Sequence, residues 1–313
     1  MYEKYYGFNK KPFEITPDPR FFYLSEKHRE ALAHLRYAIR EGKGFSVITG
    51  EVGTGKTTLV HMILSTLDQN VRIANIFNPL MDPEDFLDYV CVDLGIRKKG
   101  GGTRGQNITL LYHFLLECFE RKDRVFLIID EAQNLDKKLL EEVRLLTNLE
   151  TSRNKLLHVI LLGQPELNKT LADKKFRALK QRITTRYNLN ALNLAETKEY
   201  ILFRLKKAGA RNLSLFDNGA VKAIYKYSKG IPRLINIVCD NSLITGFSRD
   251  LNRIRKPVIL ESIRDLEGLQ RINKSRLWPA FFVFVIVIVS AILIGYALSS
   301  DWLAGQDRFG ARG

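Results

Sequence analysis

A glycine-rich stretch at residues 50–57 constrains the fold of this chain more than any other part of the sequence. It consists of Gly-Glu-Val-Gly-Thr-Gly-Lys-Thr, with the apolar run 45–49 before it and the helical pattern 58–64 after it. Glycines let successive backbone N–H groups face phosphate oxygens, and the start of a helix adds the positive end of its dipole. The sequence therefore predicts a phosphate-binding loop (P-loop) between a buried strand and a helix.

The side chains of this loop predict a bound nucleotide with a magnesium ion. Lys56 is expected to neutralise the β- and γ-phosphate oxygens, and the Thr57 hydroxyl is expected to be a ligand of Mg²⁺. ATP and Mg²⁺ are thus the expected cofactors. The loop residues predicted to bind the nucleotide are Gly50, Gly53, Thr54, Gly55, Lys56, Thr57 and Thr58.

Two adjacent acids, Asp130 and Glu131, end a second apolar strand pattern that begins at Val125. In a doubly wound parallel sheet this strand end lies beside the phosphates. Asp130 is then expected to hold the Mg²⁺ shell, and Glu131 to orient and activate the water. Two carboxylates at the mouth of an apolar strand are costly without a cation, which argues against the alternative of a purely structural role. An adjacent Asp-Glu pair, rather than a single Asp, favours ATP hydrolysis over nucleotide binding alone.

A third apolar run, residues 156–163, is followed by Gln164. A polar side chain at this strand end would lie between the nucleotide and the catalytic water, so Gln164 is predicted to sense the γ-phosphate. The alternative is an amide that only caps a turn.

Short apolar runs alternate with helical stretches up to about residue 190, which is typical of a parallel α/β sheet. Beyond that point, amphipathic patterns such as 196–208 and 219–228 predict a helical lid beside the sheet. The strands are expected at residues 45–49, 71–77, 125–130 and 159–163, and residues 98–105 are expected to form a flexible surface loop.

Residues 278–298 carry no charge, and thirteen of these 21 residues are Leu, Ile, Val or Phe. This run is long enough to cross the hydrocarbon layer and predicts one transmembrane helix. Basic residues crowd its N-terminal flank, which places that side in the cytoplasm. The expected domains are the α/β domain with its leader (1–190), the lid (191–270), a basic linker (271–277), the span (278–298) and a short exported tail (299–313).

The net charge of +15 is concentrated in residues 171–276, which hold 23 basic and 9 acidic side chains. An acidic partner or anionic lipid headgroups would suit this surface, and a solvated face of Lys-rich helices would explain it equally well. The three cysteines lie in separate apolar stretches and predict buried thiols in a reducing compartment. No histidine lies at ligand spacing from a cysteine or carboxylate, so we expect no structural metal.

Several motifs make a family resemblance specific. They are Asp-Glu-Ala-Gln-Asn-Leu at 130–135, Leu-Gly-Gln-Pro-Glu-Leu at 162–167, Lys-Gln-Arg-Ile at 180–183 and Gly-Ile-Pro-Arg-Leu-Ile-Asn at 230–236. With the leader motifs in residues 6–19, they resemble the ExeA/GspA general-secretion ATPases over residues 1–270. Relatives in that family include MshM-like ATPases and ATPases of exosortase or polysaccharide loci. The resemblance implies a P-loop NTPase sheet of the AAA+ type with a C-terminal helical lid.

The resemblance also implies three arginine roles. Arg182 is similar to an arginine finger that reaches the γ-phosphate of a neighbouring subunit, with Arg186 as the second choice, and Arg233 resembles a second sensor that binds nucleotide from the lid. An ordinary surface ion pair is the alternative for Arg182 and Arg233. A finger acting between subunits implies a homo-oligomer. ExeA/GspA proteins continue into a peptidoglycan-binding domain, whereas this sequence stops at Gly313, so we do not expect that role.

Three functions follow as hypotheses. The leading one is a single-pass ATPase of the bacterial inner membrane, with its ATPase domain in the cytoplasm. It would assemble or position a secretion, pilus or polysaccharide-export apparatus, with inner-membrane lipid and envelope-machine proteins as partners. The alternative is a DNA-binding ATPase of the transposition-helper type, suggested by the basic lid. A third is a regulatory scaffold that binds ATP with little hydrolysis.

Overall fold

The computed structural model describes residues 1–16, 18–67, 70–96 and 102–275, and its contacts divide the chain into two units that meet between Ile259 and Leu260. The predicted transmembrane helix at 278–298 and the tail at 299–313 lie outside these residues. Within the described residues, we find no helix with both the length and the apolar character needed to cross a bilayer.

A five-stranded parallel sheet forms the centre of the first unit. Its strands follow the order β2-β3-β4-β1-β5, and every neighbouring pair is parallel. All carboxyl ends therefore meet at one edge of the sheet. The strands are β1 Phe45–Thr49, β2 Val71–Ile76, β3 Arg124–Ile129, β4 Leu157–Gly163 and β5 Thr185–Asn188.

The four predicted strands are confirmed, and β5 is a fifth that the sequence analysis missed. Its residues, Thr-Arg-Tyr-Asn, alternate between half-buried and exposed positions at the edge of the sheet. A strand of this kind carries no apolar run, because only one of its faces packs against the rest of the protein.

Helices cover both faces of the sheet. Val47 and Leu127 belong to a buried cluster with α4 and α5, whereas Ile48 and Phe126 belong to another with α2 and α3. Alternate residues thus enter opposite cores, which explains why these strands are apolar throughout. The helices that precede the lid in the chain are α1 Tyr2–Tyr6, α2 Glu26–Arg40, α3 Lys56–Leu64, α4 Pro83–Asp93, α5 Arg104–Glu120, α6 Lys137–Leu146, α7 Glu166–Ala172 and α8 Arg177–Arg182.

The predicted loop at 98–105 is too long at its C-terminal end. Helix α5 begins at Arg104 because Thr103 caps it in a reciprocal pair with Gln106. The Arg104 guanidinium also forms hydrogen bonds of 3.0–3.1 Å with the buried Glu142 carboxylate. Residues 97–101 lie outside the described part of the chain.

The lid consists of α9 Leu194–Lys207, α10 Asn218–Ser228 and α11 Pro232–Ser248, in agreement with the predicted helices. Asn193 and Asp217 cap the first two with their side chains. A further helix, α12, spans Lys256–Ser275, so residues 271–275 of the predicted linker are helical.

The N-terminal leader packs against the lid. The Tyr2 hydroxyl donates to Asp240 on α11, and the backbone N–H of Asn9 donates to the carbonyl of Ala208 at 2.8 Å. Phe13 is buried and meets the Phe216 ring edge-on. These contacts fix the leader on the helical subdomain, and the next part of the leader reaches the carboxyl edge of the sheet.

We predict that Gly230→Ala destabilises the protein more than Gly42→Ala. Both glycines have a positive φ, +78° and +64°, but a Cβ on Gly230 would overlap the carbonyl of Leu192 while a Cβ on Gly42 would meet nothing within 4 Å. Left-handed strain alone costs about 1–2 kcal/mol, and overpacking adds about 1–3 kcal/mol. Equal losses in urea unfolding free energy for the two variants would contradict the packing of α10 and α11 against Leu192.

Candidate nucleotide site

Most of the predicted site residues come together at the carboxyl edge of the sheet. The P-loop leaves β1, Asp130 and Glu131 follow β3, and Gln164 follows β4, which lies between those two strands. A crevice at the carboxyl ends of a parallel sheet is where such folds bind ligands.

The P-loop has the conformation of an anion cradle. Gly53 and Gly55 adopt positive φ values of 83° and 95°, and Gly55 is the N-cap of α3. A Cβ on Gly50 would lie 2.5 Å from the carbonyl oxygen of Leu189, so glycine alone fits there without movement. The backbone N–H groups at the start of α3 can therefore face a phosphate.

Lys56 is largely buried, and its ammonium donates to the carbonyls of Gly50 at 2.9 Å and Glu51 at 3.1 Å. Burial lowers the pKa of Lys56, while the carboxylates of Asp130 and Glu131 oppose that shift. Its charge therefore lies inside the loop that would surround the phosphates.

Thr57 and Asp130 are in direct contact. The Thr57 hydroxyl donates to Oδ2 of Asp130 at 2.5 Å, although the two residues are 73 positions apart. A hydroxyl and a carboxylate at this distance are the hard oxygen donors that Mg²⁺ prefers. The residues present thus fit a magnesium ion held between the P-loop and β3.

Glu131 lies in the left-handed region, with φ 50°. Its Oε2 accepts hydrogen bonds from the side-chain amides of Gln133 at 2.5 Å and Gln164 at 3.3 Å. Gln133 is a member of this cluster that the sequence analysis did not single out. The signal available in the sequence was that Gln133 lies two residues after Glu131, the predicted water-activating residue.

The leader and the lid cover part of the site and, together with the P-loop, line an open cavity of about 510 Å³. Arg233, at the start of α11, lies against the P-loop. The approach is so close that a Cβ added to Gly53 would be 2.5 Å from the Cβ of Arg233. The residues added to the predicted set are mostly aromatic or polar: Phe21, Phe22, Tyr23, His28, Tyr200 and Asn236. Planar rings of this kind suit a nucleobase.

Arg204 connects the leader to the lid. Its buried guanidinium donates to the leader carbonyls of Pro12 at 2.5 Å and Glu14 at 3.2 Å, and it lies 5.0 Å from the centre of the Phe21 ring. It also donates to the Tyr200 hydroxyl at 3.0 Å. Sequence patterns gave no signal for the contacts of Arg204 with the leader, because they join segments about 190 positions apart.

His28 links α2 to the P-loop. Its ring nitrogens lie 3.1 Å from the Thr54 carbonyl oxygen and 2.7 Å from the Ser25 hydroxyl. Burial lowers the pKa of His28. The imidazole thus contacts the backbone of the P-loop at Thr54.

The predicted arginine fingers lie away from this cavity. Arg182 ends α8 and donates to the carbonyl of Thr147 at 3.4 Å, and Arg186 is exposed on β5. Neither belongs to the cavity lining among the described residues.

The three cysteines are buried free thiols, as predicted. Across the described ranges, no group of three or more His, Cys, Asp or Glu side chains could hold a metal ion.

A parallel sheet of this order, a P-loop after its first strand and a helical lid define the AAA class of P-loop NTPases, a fold that implies nucleotide binding. Residues 39–171 match the family model described as an AAA domain. The chain is 41% identical over 270 residues, 86% of its length, to general secretion pathway protein A of Aeromonas hydrophila. The resemblance to the ExeA/GspA family is thereby confirmed, and the chain is an ExeA/GspA-like ATPase family member.

The chain spans about half, 49%, of the length of that relative. Its fold is also similar to that of the Aeropyrum pernix ORC1 protein in complex with DNA, with a TM-score of 0.61, 14% identity and coverage of 82% of this chain and 70% of the other. For the Thermotoga maritima RuvB Holliday junction branch migration motor, the TM-score is 0.52 at 19% identity, with coverage of 77% and 69%. At these identities the likeness shows the shared fold alone.

We predict that Arg204→Met loosens the leader, whereas Lys206→Met, at an exposed position of the same helix, does not. Each hydrogen bond from a charged donor contributes about 1.5–3 kcal/mol. Arg204→Met should therefore lose both unfolding free energy and nucleotide affinity. Limited proteolysis should cleave within residues 1–23 faster in Arg204→Met. Identical cleavage of the two variants would contradict this role of Arg204.

Proposed function

We propose that this chain hydrolyses ATP to assemble or position a cell-envelope secretion, pilus or polysaccharide-export apparatus. The contact between Thr57 and Asp130, with Glu131 beside them, is the observation that carries the proposal. It joins a phosphate-binding loop to a pair of acids, which is the arrangement that phosphoryl transfer to water requires. The secretion role is supported by the relative named general secretion pathway protein A.

Each residue then has a defined task. The P-loop N–H groups and Lys56 would bind the phosphates, and Thr57 and Asp130 would hold Mg²⁺, which supplies positive charge against the developing negative charge. Glu131 would orient the attacking water and accept its proton. Gln164 would respond to the γ-phosphate, and Arg233 would bring the lid to the nucleotide.

Oligomerisation would complete the site. Arg182, or Arg186 in second place, would reach the γ-phosphate of a neighbouring copy, because both lie outside the cavity of their own subunit. An arginine supplied by another subunit makes turnover depend on assembly. We therefore propose a homo-oligomer as the active form.

The membrane would provide the place of assembly. The apolar run 278–298 would anchor the chain once in the bacterial inner membrane, with the ATPase domain in the cytoplasm. Several exposed lid cations form no ion pair within the described part of the chain, and anionic headgroups would neutralise them. These cations are Lys222, Lys226, Lys229, Arg253 and Arg255.

DNA binding is the second candidate. The same basic lid favours it, and one solved structure with a similar fold is a DNA complex. Binding to duplex DNA that weakens steeply with salt would support this reading, because cations that neutralise phosphates release counterions. The proposed membrane tether argues against it, since a tethered protein cannot travel along a chromosome.

We predict that the wild-type chain hydrolyses ATP with a specific activity that rises with protein concentration and with anionic vesicles. Glu131→Gln should lower the rate by about 10²-fold or more while ATP still binds, and Lys56→Ala should abolish binding as well. Unchanged product formation by Glu131→Gln would remove Glu131 from its role. A specific activity independent of concentration and lipid would contradict membrane assembly.

We also predict that Arg182→Ala is inactive alone and recovers activity when mixed with Glu131→Gln, because the mixed assembly contains sites with both groups intact. Equal mixtures should therefore exceed the sum of the separate rates. Arg186→Ala, treated in the same way, is the control that tests the second choice of arginine finger. A mixture no faster than its parts would contradict an arginine acting between subunits.

A further inference from the structure

The side-chain amide of Gln133 joins the ends of two strands of the site. Its Nε2 donates to Oε2 of Glu131, which follows β3, at 2.5 Å. Its Oε1 accepts from the backbone N–H of Gln164, which follows β4, at 2.9 Å. One side chain thus holds both the predicted water-activating carboxylate and the predicted phosphate sensor.

The orientation of this amide follows from its surroundings. A backbone N–H can only donate, so the bond from Gln164 requires the oxygen of Gln133 on that side and its NH₂ group toward Glu131. Gly163 leaves room for the amide, since a Cβ there would lie 3.2 Å from Oε1 of Gln133. Gln133 is also half-buried in the short turn Ala132–Asn134, which limits its movement.

The two glutamines act on the same oxygen of Glu131. Gln164 donates to Oε2 at 3.3 Å, the atom that Gln133 also contacts. For Oε1 of Glu131, the described residues supply no hydrogen bond, and Glu131 lines the cavity. The carboxylate is therefore held by one oxygen, which leaves the other to accept a proton from water.

We propose that Gln133 is a positioning residue that sets the Glu131 carboxylate for water activation and couples it to Gln164. The inference rests on the proposed ATP hydrolysis and extends it to a residue with no assigned role. Movement of the β4 end around a bound γ-phosphate would shift the N–H of Gln164, and the Gln133 amide would transmit that shift to Glu131. Hydrolysis would then depend on Gln133, whereas nucleotide binding would not.

Gln133→Met tests this role, because it keeps the length of the side chain and removes both hydrogen bonds. We expect kcat to fall by about 10-fold or more, while KM and the Kd of a non-hydrolysable ATP analogue stay within about twofold. Asn134→Met, at the exposed neighbouring position, is the matched control and should keep wild-type kinetics. Thermal unfolding of both variants identifies any loss that is due to folding.

A double-mutant cycle separates positioning from packing. If Gln133 acts through Glu131, Gln133→Met should slow the wild type but cause no further loss in a Glu131→Gln background. A packing role would lower kcat by the same factor in both backgrounds. Additive losses would therefore overturn the inference.

The outcomes distinguish this inference from the proposed function. An active wild type with Gln133→Met kinetics equal to those of Asn134→Met overturns the role of Gln133 alone. A wild type that hydrolyses no ATP at any protein or lipid concentration overturns both.

Discussion

The contact between the Thr57 hydroxyl and the Asp130 carboxylate is the interaction on which the site depends. It exists because β1 and β3 are parallel strands that flank β4, so that their carboxyl ends open into one crevice. A buried core on each face of the sheet fixes this order. Two oxygen-bearing side chains that would suit a cation are thereby held together, although they are far apart in the sequence.

Around that contact, the nucleotide cavity is built from three parts of the chain. The sheet edge supplies the charged groups, the leader supplies aromatic rings, and the lid supplies Arg233 and the Arg204 that fastens the leader. Because the leader is bonded to the lid, a movement of the lid would carry the leader with it. Through the same contacts, the nucleotide bound in the cavity would affect the position of the basic helices of the lid.

The P-loop, the Asp130–Glu131 pair and four strands could be predicted from the sequence, because local apolar runs and strand-end polarity determine them. Strand β5 could not, since an edge strand with polar alternation resembles a loop. The leader contacts of Arg204 could not either, because they depend on packing between segments about 190 residues apart. Gln133 lay within a recognisable motif, but only the geometry of the β3 and β4 ends shows what its amide contacts.

The affinity of ATP measured with and without Mg²⁺ tests the central claim most directly. The account predicts that Mg²⁺ tightens binding to the wild type by about tenfold or more, and that Thr57→Val and Asp130→Asn each remove this gain. It also predicts that the double variant is no worse than either single one, since both residues would hold the same ion. A Mg²⁺ effect that survives in both variants would contradict a shared site at the end of β1 and β3.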